Sequence, residues 1–367
     1  MIIKKANTLN VLKNIYFSKN EPISLVHFIT NRCNARCSFC FIDFENPKTF
    51  QNELTIDEID LLTKNLGKSL LNVNLTGGEP FARSDIISIA KSYLKNSTVQ
   101  SIYVTTNASL PERIEKFANE ISLFSPDTEL SFQISIDDLP AQHNSVRKIK
   151  NLFDSCIDTY KRLKNFGPKI SSVVNITVSH ENCDNIKEIF SYLNNDCKIE
   201  SIKACIVRDE GVYKIPGEKK KKIYEAYNWL TNEIKTKAKN KKIVNYNSKS
   251  VQGKLHHKKD LISWEMVKKM YLEPKYLSPC HAAGLFGIIT ANGLVYPCEI
   301  LENKLMGNLR DVDMKFMKIW ESDKTKDTKK YILKNKCNCT YECALTYNIL
   351  GNWRYQPRLI SSMFNLD

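Results

Sequence analysis

Apolar and polar positions between Ile23 and about Val207 sort into two alternating kinds of segment. β-Rich runs at 23 to 30, 71 to 76, 101 to 106, 131 to 136, 171 to 179 and 201 to 207 are separated by stretches of helical periodicity. Strand-helix alternation predicts an α/β fold with a parallel sheet whose site lies at the carboxyl ends of the strands. Six such units, within residues 22 to 215, make a partial (β/α)6, TIM-like barrel. Residues 1 to 21 read as a polar lead-in closed by Pro22, and 216 to 279 as a lysine-rich helical bridge that begins near Pro216-Gly217. A smaller cysteine-rich domain follows over 280 to 351, and residues 352 to 367 form an aromatic tail. The chain has no internal repeat or low-complexity tract.

Chemistry enters where the first β-rich run ends. Cys33, Cys37 and Cys40 are spaced C-x3-C-x2-C in the run Asn31 to Cys40. Three thiolates can hold only three irons of a cubane, which leaves the fourth iron open to a ligand that is not protein. A zinc knot or a set of buried thiols is the alternative for the triplet alone. Downstream, Val73-Asn74-Leu75-Thr76 reads as a strand that runs into Gly77-Gly78-Glu79-Pro80. Glycine permits positive φ and close backbone approach, and proline stops the strand.

The triplet followed by this turn resembles the radical S-adenosylmethionine (SAM) superfamily. The resemblance implies a [4Fe-4S] cluster on Cys33, Cys37 and Cys40 whose open iron chelates SAM, and hydrogen-atom abstraction by a 5′-deoxyadenosyl radical. It implies that Gly77, Gly78, Glu79 and Pro80 bind the SAM amino group through backbone carbonyls and the acid. Phe39 matches the aromatic that packs near the adenine. Thr106 and Asn107, at the end of the run from Ser101, match ribose contacts, although Thr-Asn endings also serve as turns and caps. Ser135, Asp137 and Arg147 match the residues that line the SAM pocket, with His143 and Arg147 at helical i, i+4 spacing.

A second group consists of Cys280, Cys298 at the end of a G-x4-C, and Cys337, Cys339 and Cys343 as C-x-C-x3-C. This resembles the SPASM/twitch extension that carries auxiliary iron-sulfur clusters. A full SPASM module has a C-x2-C-x5-C knot and one further cysteine, so one auxiliary [4Fe-4S] cluster is expected. Cys280, Cys298 and two of Cys337, Cys339 and Cys343 would hold it, with the spare thiol undetermined. A structural zinc site is the rival, because four thiolates suit zinc as well. Cys156, Cys183, Cys197 and Cys205 read as ordinary interior thiols.

Composition limits the remaining choices. Twelve cysteines in 367 residues do not make a disulfide-stapled secreted domain, because the chain is too long for that class and Met1-Ile2-Ile3-Lys4-Lys5 leads to no apolar signal core. No apolar run approaches a membrane span, so a cytoplasmic, oxygen-sensitive protein is expected. The net charge of +14 sits largely in the lysines of 219 to 222, 235 to 242 and 254 to 259. These read as solvated helix faces, with attraction to an anion as the sharper alternative. Tyr224, Tyr227 and Trp229 fall at helical intervals rather than as a stacking platform, so nucleic acid is not an expected partner.

A radical SAM oxidoreductase or maturase is therefore expected, supplied with electrons by a donor such as flavodoxin or ferredoxin. The auxiliary cluster would accept an electron from the substrate or anchor it. A small anionic sugar, cyclitol or similar metabolite is the favoured substrate, because only 21 residues precede Pro22 and peptide-modifying relatives often carry a leader-binding domain there. A peptide, as for RiPP-type or sulfatase-type maturases, is the alternative. A non-catalytic iron-sulfur or zinc scaffold for an anionic partner is the reading from another class.

Overall fold

The computed structural model describes residues 4–208, 214–240, 243 and 251–361. Six parallel strands follow one another in chain order: β1 (Ser24–Thr30), β2 (Asn72–Gly77), β3 (Ser101–Thr106), β4 (Glu129–Ser135), β5 (Ile170–Val178) and β6 (Ile202–Ile206). Each lies within two residues of an expected β-rich run. Helix α1 (Thr8–Lys13) precedes them and packs Val11 on Ile23 and Leu285, so the lead-in is folded rather than merely polar. Between the strands run α2 (Ile56–Thr63), α3 (Ile86–Asn96), α4 (Pro111–Phe124), α5 (Pro140–Arg147), α6 (Leu152–Lys164) and α7 (Ile186–Ser191). The starts of these helices are written locally: Thr55 and Glu58 form a capping box on α2, and Pro111 and Pro140 open α4 and α5.

After β6 come α8 (Lys220–Lys239) and α9 (Val251–Tyr271), the expected helical bridge. The cysteine-rich segment then contributes β7 (Phe286–Ile289), β8 (Leu294–Tyr296) and β9 (Gly307–Asn308). Strand β7 pairs in parallel with β1, and β8 and β9 continue antiparallel. One open sheet of order β6-β5-β4-β3-β2-β1-β7-β8-β9 results, so the cysteine-rich segment extends the barrel's own sheet. The chain ends with α10 (Phe316–Trp320), α11 (Asp323–Lys334), α12 (Glu342–Leu350) and α13 (Gln356–Ser361).

The two faces of the sheet differ. Val73, Leu75, Ile102, Val104, Phe132 and Ile134 are buried with Ile89 and Tyr93 of α3 and Phe117 of α4. Their neighbours along the strands, Asn72, Asn74, Tyr103, Gln133, Asn175 and Lys203, are polar and only half-buried on the opposite face. Parallel strands buried on both faces read as continuous apolar runs, so this alternation marks an inner face that meets something other than core. Helices α9 and α12 lie across part of that face: Tyr347 Oη donates to Asn72 Oδ1 at 3.3 Å, the Cys205 thiol to Glu342 Oε2 at 2.8 Å, and Lys203 pairs with Asp260 at 3.7 Å.

The first lysine run lies on a solvated face, whereas Lys254 and Lys258 of the third are half-buried. Lys219 and Lys222 both pair with Asp184, and Lys221 faces Glu225 one turn along α8. Such exposed pairs contribute about 1 kcal/mol at most. Lys259, buried against Asp260, is an exception, and Lys241 and Lys242 lie outside the described residues. Among the described residues no helix is long and apolar enough to cross a membrane.

The carboxyl ends of β1 and β2 are stitched together. Gly78 N–H donates to Thr30 O at 2.8 Å and Glu79 N–H to Arg32 O at 2.9 Å. A Cβ on Gly77 would stand 1.9 Å from Thr30 O, and one on Gly78 2.2 Å from Arg32 O, while Gly77 also has φ +134°. Gly77→Ala should therefore cost about 2 kcal/mol or more, whereas Gly167→Ala, with no atom of the described residues within 4 Å of its Cβ, should stay within about 0.5 kcal/mol. Chemical denaturation of the two variants beside the parent checks this; equal stabilities would contradict it.

Candidate functional site

The segment that carries Cys33, Cys37 and Cys40 leaves β1 at Thr30 and crosses the carboxyl ends of the strands without forming an α-helix or a strand. Its anchors are hydrogen bonds. Glu53 Oε1 accepts from Asn31 N–H at 2.9 Å and from Thr30 Oγ1 at 2.8 Å. Ser38 Oγ donates to Glu181 Oε1 at 2.9 Å, and Arg36 N–H to Arg147 O at 3.1 Å, tying the loop to the ends of β5 and α5. All three thiols are half-buried, and burial raises the pKa of each, Cys33 to about 11. Arg147 opposes that shift at Cys37 and Cys40.

The donor set suits a thiolate-bound cluster. Ala35 N–H points at Cys33 Sγ from 3.3 Å and Asn107 Nδ2 from 3.9 Å, so N–H groups converge on a sulfur that a metal would hold as thiolate. The same Asn107 amide donates to Asn34 Oδ1 at 2.9 Å, which keeps it oriented. Among the described residues, no group of three or more His, Cys, Asp and Glu side chains is drawn tightly enough to share one ion.

Glu79 is fully buried. Its carboxylate accepts from Thr106 Oγ1 at 2.7 Å, Asn107 N–H at 2.7 Å and Phe81 N–H at 3.1 Å. A carboxylate offers about four lone-pair sites, so three are used within the protein and one remains for a ligand. Burial raises the Glu79 pKa, and these three donors oppose the rise. Thr106 Oγ1 also accepts from Ala108 N–H at 2.9 Å, so its hydroxyl serves the turn. Pro80 starts a short 3-10 turn that buries Phe81.

Asp137 and Arg147 form a buried ion pair, with Arg147 Nε 3.0 Å from Asp137 Oδ2. Asp137 Oδ1 accepts from Thr177 N–H at 2.9 Å, and its backbone carbonyl accepts from Asn182 Nδ2 at 2.7 Å. The Arg147 guanidinium lies 5.7 Å from the Phe39 ring centroid. Burial disfavours the arginine's charge, but Asp137 outweighs it and raises the Arg147 pKa. His143 is buried and held neutral, its pKa lowered to about 3 by burial and then by Arg147. Ser135 ends β4 in register with Asn175 of β5.

Phe39, Asp137 and His143 line a cleft of about 200 Å³ together with Asp138, Ser179 and Glu181. Asp138, Ser179 and Glu181 were not among the site residues expected from the sequence. The double acid Asp137-Asp138 signalled one of them, whereas Ser179 and Glu181 sit at the end of β5, which only the folded sheet brings here.

The second cysteine group gathers where β8, α11 and α12 meet. Cys280, Cys298, Cys337 and Cys339 lie close enough for their charges to act on one another. Cys343 packs in the same apolar cluster, but its charged neighbours are Glu299, Lys203 and Arg208. Glu299 accepts from Tyr341 Oη at 2.7 Å and from Arg208 Nη2 at 2.6 Å, which pins this group to the end of β6. Of the thiols read as interior, Cys156 is buried and donates to Asn107 O at 3.2 Å, while half-buried Cys205 takes part in the polar contacts across the inner face.

Residues 28–193 match the model of the Radical SAM superfamily, and residues 280–344 that of SPASM, an iron-sulfur cluster-binding domain. These two domains imply a SAM-binding [4Fe-4S] cluster and auxiliary cluster binding. The sporulation killing factor maturation protein SkfB of Bacillus subtilis is 27% identical over 175 residues, which cover 47% of this chain and 40% of that protein. A GTP 3′,8-cyclase of Pasteurella multocida is 32% identical over 118 residues, 31% of this chain and 33% of the enzyme. The chain thus spans less than half the length of these curated relatives. Among solved structures, native anSMEcpe with bound AdoMet and Kp18Cys peptide superposes with a TM-score of 0.58 at 16% identity, covering 94% of this chain and 99% of that one.

Buried Asp138 carries a titration that can be checked without any cofactor. Burial first, and then Asp137 and Glu181, raise its pKa to about 6 from 3.8. An acid with a raised folded-state pKa holds its proton more tightly when folded, so its stabilising contribution is complete below about pH 3.8 and is lost as pH rises to 6. Asp138→Asn should therefore gain on the order of 2 kcal/mol over the parent on going from pH 4 to pH 7. Denaturant unfolding of the cofactor-free chains at both pH values measures the difference; a pH-independent gap would contradict it.

Proposed function

We propose that this chain, which belongs to the radical SAM superfamily and joins a radical SAM domain to a SPASM domain, is an enzyme that modifies a peptide. The reading is carried by the inner face of the sheet beneath the cysteine loop. Asn74 Oδ1 is buried there without a hydrogen-bond partner among the described residues, an acceptor suited to a ligand N–H. Around it Tyr103, Gln133, Asn175 and Thr177 add uncharged amide and hydroxyl groups. In register with Asn74, Val26 and Ile288 form with Phe28 an apolar strip, and Phe41 meets Phe28 edge-on at 5.8 Å. An uncharged polar wall beside an apolar one suits backbone amides with an apolar side chain.

The small anionic metabolite favoured by the sequence fits this face less well. The cations that border it are engaged: Arg147 with Asp137, Arg208 with Glu299, and Lys203 and Lys259 together with Asp260. The relatives lean the same way, with SkfB a maturation protein and anSMEcpe bound to a peptide, although the GTP 3′,8-cyclase is named for a nucleotide.

Cys33, Cys37 and Cys40 would hold the cluster at the top of this face, with electrons from a flavodoxin or ferredoxin. When bound, the cluster and SAM supply the one-electron cleavage of the sulfonium bond and the carbon radical that takes a hydrogen atom from substrate. The chain's own residues position. Asn107 and Ala35 direct N–H groups at Cys33, Glu79 ties the end of β2 to that of β3, and the Asp137–Arg147 pair holds Phe39's wall and the loop through Arg147 O. The Glu79 lone pair left over and the cleft beside Phe39 are where SAM's amino group and adenine would be received.

The test uses anaerobically reconstituted protein with SAM and a reductant. 5′-Deoxyadenosine should form, and Cys33→Ala, Cys37→Ala or Cys40→Ala should abolish it, whereas Cys280→Ala should leave a measurable part. A peptide encoded by a short neighbouring open reading frame should accelerate SAM cleavage at least tenfold and emerge with an altered mass or solvent deuterium. Acceleration by sugar or cyclitol phosphates but not by the peptide would overturn the substrate class. Iron-loaded protein that never releases 5′-deoxyadenosine would instead support the scaffold reading.

A further inference from the structure

We infer that the auxiliary centre of this chain is held by Cys280, Cys298, Cys337 and Cys339, and that Cys343 remains a thiol turned toward the inner face of the sheet. The inference rests on the reading that residues 280–344 carry an iron-sulfur cluster.

The direction of each α12 side chain carries the argument. Leu345 and Asn348, three residues apart on one side of the helix, line a cleft of about 260 Å³ together with Cys280, Cys337 and Cys339. Asn348 Oδ1 also accepts from His281 N–H at 2.8 Å, so that side faces the residue next to Cys280. Each helical residue turns by about 100°, which places Cys343 about 200° from Leu345. One turn on from Cys343 stands Tyr347, whose hydroxyl donates to Asn72 of β2 at 3.3 Å and whose ring stacks on Phe286 at 5.1 Å. The side of α12 that holds Cys343 and Tyr347 is thus the side that meets the sheet.

The surroundings of each thiol agree with that orientation. Cys280, Cys337 and Cys298 all act on Cys339, and Cys337 acts on Cys280 and on Cys298. The groups that act on Cys343 are not cysteines but Glu299 and Tyr341 of the cysteine-rich segment and Lys203 and Arg208 of the barrel. Glu342, the residue before it, receives the Cys205 thiol from β6 and Tyr227 Oη from α8 at 3.3 Å. Moving Cys343 toward the other four would require rotating the first turn of α12 and breaking these contacts.

The experiment is iron and sulfide analysis of the anaerobically reconstituted full chain, with EPR of the reduced protein. The parent should hold about eight irons, the content of two cubanes. Cys280→Ala, Cys298→Ala, Cys337→Ala and Cys339→Ala should each fall to about four, while Cys343→Ala keeps about eight with both EPR signals unaltered. Cys343→Ser is the companion variant, since its hydroxyl preserves the polar contacts if the alanine protein misfolds. Loss of about four irons from a folded Cys343→Ser, with retention in Cys337→Ala or Cys339→Ala, would overturn the assignment. A parent that binds zinc, or only about four irons, would overturn the auxiliary-cluster reading itself and is told apart by the parent's metal content.

Discussion

The site depends on one steric constraint, the contact between the Gly77-Gly78 turn and the backbone of the cysteine loop. Two N–H···O bonds join them, and no Cβ fits on either glycine. The loop itself forms neither an α-helix nor a strand, so its path is fixed from outside: by the turn, by Glu53 at its start, and by Ser38–Glu181 and Arg36–Arg147 farther along. The close approach that glycine permits is thus approach to the neighbouring chain segment. Whatever the turn offers to SAM, its first task is to hold three thiols over the ends of the strands.

Buried charge extends the same logic. The Asp137–Arg147 pair is worth little as net stability, because desolvation offsets most of the attraction. Its value lies in direction: the carboxylate is also bonded to Thr177 N–H, and the arginine's carbonyl receives the cysteine loop. The end of β4, β5, helix α5 and the loop are therefore oriented by one pair. Glu79 does the same for β2 and β3 through Thr106 and Asn107. Residues matched to ligand contacts by motif act in this structure as struts.

What the sequence showed and what it withheld divide along contact range. Strand positions, the cysteine triplet and the Gly-Gly turn are local patterns, and each lies where its pattern implied. The parallel pairing of β7 with β1 joins residues more than 250 apart, so no local pattern signals that the cysteine-rich segment shares the barrel's sheet. Ser179 and Glu181 were invisible for the same reason, since nothing nearby in the chain distinguishes them from an ordinary loop. The spare thiol among Cys337, Cys339 and Cys343 turns on the rotation of a nine-residue helix, which spacing in a loop-to-helix transition does not encode.

The polar inner face explains an oddity of composition. Strands such as Asn72–Gly77 and Ser101–Thr106 alternate, although parallel strands in an α/β fold are ordinarily apolar on both sides. Filling that face with valine and isoleucine would add hydrophobic stabilisation and seal the sheet against α9 and α12. The chain instead keeps an unpartnered Asn74 acceptor and a row of hydroxyls and amides half-buried, at a cost of order 1 to 3 kcal/mol for an unsatisfied buried polar group. Among the described residues, that cost falls on Asn74 alone of these groups, the others being half-buried and not left without partners. Those groups are uncharged, and of the cations beside them Arg147 pairs with Asp137, Arg208 with Glu299, and Lys203 and Lys259 share Asp260.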